Sequence, residues 1–307
     1  MPILEERRGE IEKIDRKTFV YNDKRDARNE VWLGLESILV LDLDVIHLSQ
    51  LDVYYPQHPI LTKNGKTPVL VFVYGGGFNS GSRQLPEPYS MGYRALGSFY
   101  AHRGFITVVP DYRLVPEVQF PAASEDVRDA VNWIFNNADA IGRGHAIPAP
   151  DVDAMFVMGH SAGAVHTKVL ALYPPLRDTT QPRLKGLIWC AGPWSFGATV
   201  QGYFGSQAQQ EENEPRALWN GLPDEEIGNL PDILLVRAER EPPALLISWD
   251  EMLSDIEKRR GTVPQTIISK GHNHISPNWA LGSGQGEEWG EEVTKWMKAR
   301  LVANSLL

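Results

Sequence analysis

The residues best suited to chemistry are the five of Gly159-His160-Ser161-Ala162-Gly163, a G-x-S-x-G pentapeptide. It follows the apolar run Met155–Met158 and precedes a stretch of helical character, where a serine can sit on a tight strand-to-helix turn. Such a turn crowds the backbone and requires small residues around the serine, which Gly159, Ala162 and Gly163 supply. The Ser161 hydroxyl would then project from the sheet edge beside N–H groups at a helix start. Those donors favour the negative charge that acyl transfer develops.

Acyl transfer also needs a place for the oxyanion. Tyr74-Gly75-Gly76-Gly77-Phe78 directly follows the apolar run Val69–Val73, and consecutive glycines let the backbone turn its N–H groups toward a ligand. Gly76 and Gly77, together with Ala162, are the candidate donors. A phosphate loop is not supported, because G-x-x-x-x-G-K-[ST] does not occur. The second glycine-rich stretch, Gly282–Gly286, does not fit the dinucleotide fingerprint and reads as a loop.

A general base must reach the serine, and histidine suits that task near neutral pH. Of the eight histidines, His272 and His274 lie in the loop Lys270–His274, after the last expected strand. His274 is the preferred base and His272 its neighbour. His160 reads as structural, His166 as packed or surface, and His102 and His145 show no partner signal. His47 and His58 precede the core sheet in this reading. Two histidines at this spacing are also a pattern that binds metal, but no carboxylate or third histidine lies near them in sequence, and no metal site is expected. The tripeptide His272-Asn273-His274 lacks the surroundings of a nuclease motif. The orienting acid should follow the run Ile233–Val236. Glu241 is favoured there, with Glu239 as the alternative; Asp232 is at the wrong end and Asp250 is inside a helix.

These groups require an alternating framework. Strands are expected at Leu51–Tyr55, Val69–Tyr74, Phe105–Val109, Met155–Met158, Leu187–Cys190, Ile233–Val236 and Thr266–Ile268. Helical stripes fall at Ala123–Phe135, Pro243–Arg260 and about Glu287–Leu301. The alternation implies an α/β fold, a mostly parallel sheet with helices on both faces. We expect a single domain over residues 1–307, with an N-terminal extension at 1–48 and a candidate cap insertion at 192–230. The cap would shape a pocket with Trp194, Phe196, Tyr203, Phe204 and Trp219.

Composition bounds the function classes. A net charge of −9 argues against nucleic acid as a partner. The single cysteine, Cys190, excludes an intrachain disulfide and a Cys-rich zinc site. No secretory signal is read in Met1–Tyr21 and no stretch approaches a membrane span, so the expectation is a cytoplasmic protein without membrane contact. An oligomer is possible; its size is not legible.

The stretch Pro110–Glu117, followed by Phe120–Ala123 and Glu125-Asp126, closely resembles the D-Y-R-L-x-P-E…F-P-A…E-D segment of hormone-sensitive-lipase-like and kynurenine-formamidase-like esterases. From about Leu51 onward the chain looks like an α/β-hydrolase of that esterase/lipase group. The order serine, acid, histidine is the one found in that fold. The resemblance implies Ser161 as nucleophile, Glu241 as acid, His274 as base, and Gly76, Gly77 and Ala162 as oxyanion donors. Two positions depart from the pattern: Tyr74 stands where the family usually has histidine, and Glu241 where it usually has aspartate. The expected function is a cofactor-free serine carboxylesterase acting on small esters. An amidase or arylformamidase is the alternative, and a ligand-binding module on the same scaffold is the non-enzymatic one.

Overall fold

The computed structural model describes residues 2–26, 47–181, 184–198 and 200–302. Its strands are β1 (Asp15–Asp26), β2 (His47–Tyr55), β3 (Thr67–Val73), β4 (Ile106–Pro110), β5 (Pro150–His160), β6 (Gly186–Cys190), β7 (Asp232–Arg240) and β8 (Gln265–Asn273). They form one sheet in the order β1-β2-β4-β3-β5-β6-β7-β8. β2 is antiparallel to both β1 and β4, and the remaining pairings are parallel. Every residue of β3, β4 and β6 is buried, as their unbroken apolar runs require of strands covered on both faces.

The expected α/β architecture is therefore present. The helix Ala122–Asn136 buries Val127, Ala130, Val131 and Ile134 along one stripe. Pro243–Arg260 opens with proline in its first turn and stops at Gly261 in the left-handed conformation. Among the elements that escaped sequence reading are the helix Gly92–His102, strand β1 and several helices of four to seven residues. β1 comes from the extension expected at 1–48 and pairs with β2, so this segment adds to the sheet; residues 27–46 of that extension lie outside the described residues. His47 opens β2 and does not precede the sheet.

The sheet order reverses at β3 and β5: the chain runs from β3 outward to β4, then returns to the other side of β3. Crevices at such reversals, beyond the carboxyl ends of the strands, are where open α/β sheets bind ligands. Parallel register determines what gathers there. Val73 pairs with Gly159, so two residues further on Gly75 stands beside Ser161. Arg240 pairs with Asn273, so the next residue pair is Glu241 and His274.

Candidate active site

Ser161 follows the last residue of β5 directly and adopts φ 54° and ψ −120°, a conformation that costs a non-glycine residue about 1–3 kcal/mol. Its N–H donates to Cys190 O at 2.9 Å, and the helix Ala162–Leu172 starts at the next residue. The turn tolerates no side chain at Gly163, where a Cβ would lie 2.2 Å from Val73 O. Packing against the end of β3 thus requires the glycine and brings the serine to the crevice.

There Ser161 meets its two expected partners. His274 Nε2 lies 2.9 Å from Ser161 Oγ, and His274 Nδ1 lies 2.6 Å from Glu241 Oε2. The carboxylate accepts, so Nδ1 carries a proton, and in the neutral ring Nε2 is then the acceptor that faces the serine hydroxyl. Glu241 is enclosed, with its side chain 1% exposed, and its other oxygen accepts the N–H of Ala238 at 2.9 Å. The alternative acid, Glu239, does not reach the histidine; it accepts the N–H of Gly271 at 2.8 Å. Lys270–Asn273 belong to β8 and not to a loop after it, and His272 turns to Ser276 Oγ and Gly286 O, each at 2.9 Å, bracing the strand end that presents His274.

The glycine loop lies against the serine. A Cβ on Gly75 would stand 2.9 Å from Ser161 Cβ. Gly76 has φ 141° and Gly77 φ 61°. The carbonyl of Gly76 accepts from the N–H of Asn79 and Ser80 and from Ser80 Oγ, so it points into its own turn. In a planar trans peptide the N–H of Gly77 points the opposite way, out of that turn. No described hydrogen bond takes up the N–H of Gly76, Gly77 or Ala162.

Several histidines acquire definite positions. His160 is buried, and its Nε2–H donates to the carbonyl of His274 at 2.8 Å. Burial, reinforced by the neighbouring His274, lowers its pKa to about 4. His166 is also buried, with Nδ1 3.0 Å from Ser124 Oγ, and burial lowers its pKa to about 3. His145, for which the sequence offered no partner, lies 2.9 Å from Asp15 and stacks on Tyr55. His102 ends its helix exposed.

Sequence reasoning missed Lys168. It is fully buried, and its ammonium donates to Gly192 O at 2.6 Å and Pro193 O at 3.0 Å. Burial lowers its pKa to about 7. The local sequence marks it only as the one charged residue of a mostly apolar helix that also holds His166 and Thr167. It pins the start of the 192–230 segment against the helix that follows Ser161. Within that segment Trp194 and Trp219 are fully buried and belong to the core; Trp194 Nε1–H donates to Asp255. Tyr203 stacks on Phe78 at 4.2 Å and Phe196 lies 6.2 Å from the same ring, forming an aromatic wall beside the glycine loop.

Among the described residues no three His, Cys, Asp or Glu side chains are grouped to hold a metal, and no helix is long and apolar enough to cross a membrane. A cavity of about 960 Å³ opens at the opposite edge of the sheet, near Asp151, Lys185 and Asp232, away from Ser161.

Residues 51–181 match the BD-FAE family model. The chain is 30% identical over 142 residues to 3-O-acetylpapaveroxine carboxylesterase CXE1 of Papaver somniferum, covering 43% of this chain and 41% of that protein. It is 33% identical over 138 residues to carboxylesterase NlhH of Mycobacterium tuberculosis, covering 45% of this chain and 37% of NlhH. The chain thus spans about two fifths of the length of these curated relatives. Its fold is that of esterase LipW from Mycobacterium marinum, with a TM-score of 0.64 at 17% identity over 100% of this chain and 88% of that one. With its sheet order and its G-x-S-x-G turn at the reversal point, the chain has the α/β-hydrolase fold of such esterase structures, and over part of its length it is similar to the esterase relatives above.

Proposed function

We propose that the chain is a serine hydrolase that cleaves small carboxylic esters through an acyl-enzyme. The observation that carries this reading is the continuous path from Ser161 Oγ through His274 to the enclosed Glu241, at 2.9 and 2.6 Å. Ser161 Oγ attacks the ester carbonyl as His274 Nε2 takes its proton, and Glu241 stabilises the imidazolium. The carbonyl oxygen becomes an oxyanion that accepts hydrogen bonds from the N–H groups of Gly76, Gly77 and Ala162. In comparable sites each such donor contributes roughly 2.7–4 kcal/mol to the transition state. The tetrahedral adduct collapses, the C–O bond breaks, and His274 returns the proton to the departing alkoxide. Water then attacks the acyl-enzyme with His274 again as base, releasing the acid and restoring Ser161. The names of CXE1, NlhH and LipW support an ester over other acyl substrates.

The test is labelling with a fluorophosphonate, followed by turnover of p-nitrophenyl acetate and butyrate alongside N-formylkynurenine. An adduct mapped to Ser161, together with ester turnover that disappears in Ser161→Ala, is expected. A folded protein without adduct refutes the hydrolase reading. Preferential turnover of N-formylkynurenine would move the assignment to a formamidase.

A further inference from the structure

The loop from Tyr74 to Arg83 carries the glycine amides assigned above to the oxyanion, and its two ends meet at one carboxylate. Tyr74 Oη donates to Asp111 Oδ1 at 2.9 Å, and the backbone N–H of Arg83 donates to the same oxygen at 2.8 Å. The Arg83 guanidinium closes on the other oxygen of Asp111 and is itself held by Asp52 and Gln50. Strand register produces this meeting: β3 and β4 pair Val71 with Val108, so three residues on Tyr74 stands beside Asp111. Asp111 is buried, and Tyr21 Oη fixes its backbone carbonyl at 2.5 Å.

The same tyrosine is constrained at its ring and its peptide. Tyr112 stacks on it at 4.6 Å and Tyr93 at 5.6 Å. Tyr112 Oη donates to Tyr74 O at 2.8 Å. Gly81 brings the returning strand of the loop against the ring, where a Cβ would lie 2.8 Å from Cδ2. A run of three glycines has many backbone states to lose, so amides within it are preorganised only if the loop is closed from outside.

We propose that Asp111 is a clasp which, by joining Tyr74 to Arg83, positions the N–H groups of Gly76 and Gly77 for the oxyanion. This rests on the serine-hydrolase reading. Tyr74, Asp111 and Arg83 are positioning residues; none touches the reacting atoms.

Tyr74→Phe removes one hydroxyl and keeps the ring stack, so it is the primary test, with Asp111→Asn as a second variant. Each is compared with wild type and Ser161→Ala for ester turnover, inhibition by a trifluoromethyl ketone, thermal unfolding, and amide hydrogen exchange over 74–83. In Tyr74→Phe we expect kcat to fall about tenfold to a hundredfold, as misplaced catalytic groups typically cause, with KM nearly unchanged. The trifluoromethyl ketone Ki should rise in parallel, because its adduct places an oxyanion at the same donors, and exchange at 74–83 should accelerate while the rest of the sheet stays protected. A variant that keeps wild-type kcat and Ki, or that loses activity only in proportion to a global loss of folding, overturns the clasp. If wild type shows neither turnover nor a Ser161 adduct, the hydrolase reading and the clasp both fall. Turnover in wild type with an unchanged Tyr74→Phe removes the clasp alone.

Discussion

The N–H of Gly271 donates to Glu239 Oε2 at 2.8 Å, and this bond staples a bulge that decides which histidine faces Glu241. Along β7 the chain advances two residues from Ala238 to Arg240, while along β8 it advances four from their partners Ser269 to Asn273. Continued without the bulge, the Ala238–Ser269 register would set His272 opposite Glu241. With the two added residues, His274 stands there instead. Gly271, at φ 77°, supplies the turn, and Arg240 clasps its carbonyl from the other side. The two acids at the end of β7 therefore divide the work: Glu241, just past the strand, contacts the histidine, and Glu239, next to last within it, holds the backbone that delivers it.

Glu241→Gln should lower kcat by roughly 10³–10⁴, as loss of the orienting carboxylate does in comparable triads, with little change in KM. Glu239→Ala should reduce kcat several-fold only. A Cβ at Gly271 would meet nothing within 4 Å, so the cost of Gly271→Ala is purely the backbone strain of the left-handed region, about 1–2 kcal/mol. Kinetics of the three variants check the division. Equal losses in Glu239→Ala and Glu241→Gln would show that the acid has been misassigned.

The bulge explains why part of the site was legible in the sequence and part was not. Ser161 announces itself because the constraint on it is local: a strand, small residues and a helix start are all written within ten positions. The buried strands were legible for the same reason, as unbroken apolar runs. Choosing between His272 and His274 needs the register of β8 against β7, which a bulge changes and no local pattern records. The Tyr74–Asp111 contact likewise needs the knowledge that β4 lies beside β3. The 192–230 segment hid its helices because each is short; the longest run to seven residues, Gln207–Asn213 and Pro215–Gly221, too few turns for an apolar period to register. Its tryptophans read as pocket lining, whereas Trp194 and Trp219 fill the core.

His160 acts on His274 through the backbone. Its Nε2–H satisfies the carbonyl of His274, and the two rings lie 5.1 Å apart. His160→Phe retains bulk but leaves that carbonyl without its donor, a loss of about 1–3 kcal/mol when buried. The expected outcome is a roughly tenfold fall in kcat, as the His274 ring gains freedom relative to Ser161. Fluorophosphonate labelling rates should fall in step, and His160→Gln, whose amide can still donate, should recover part of the loss. An unchanged labelling rate in His160→Phe would refute the role.

The aromatic wall of Phe78, Tyr203 and Phe196 predicts a limit on substrate length. Tyr203 is buried and fixed by its stack on Phe78, while Phe196 is only partly buried and more easily removed. Phe196→Ala should improve kcat/KM for hexanoate and octanoate esters relative to acetate by about tenfold, the scale of a methylene or two of apolar contact. Turnover across a p-nitrophenyl ester series measures this directly. A length profile identical to wild type would place the acyl chain elsewhere.

Four buried groups predict how stability varies with pH. His160 and His166 are lowered to about 4 and about 3 from an ordinary 6.5, so between those values and 6.5 the unfolded chain binds more protons than the folded one. Stability therefore declines as pH drops below about 6.5, by roughly 2 kcal/mol per ring on reaching pH 5. Lys168, lowered to about 7 from 10.5, adds a second window in which the unfolded chain again binds more protons, and stability rises as pH increases from 7. Cys190 works in the opposite sense: burial raises its thiol, so from about pH 9 upward the folded chain holds the extra proton and stability falls. The clean interval for Lys168 is thus pH 7 to 8.5, where it contributes roughly 2 kcal/mol. Urea midpoints measured from pH 5 to 8.5 should rise through both windows. His166→Gln should flatten the lower one and Lys168→Met the upper one, even if both lower the midpoint overall. A Lys168→Met profile parallel to wild type between pH 7 and 8.5 would mean that the buried amine keeps its proton throughout.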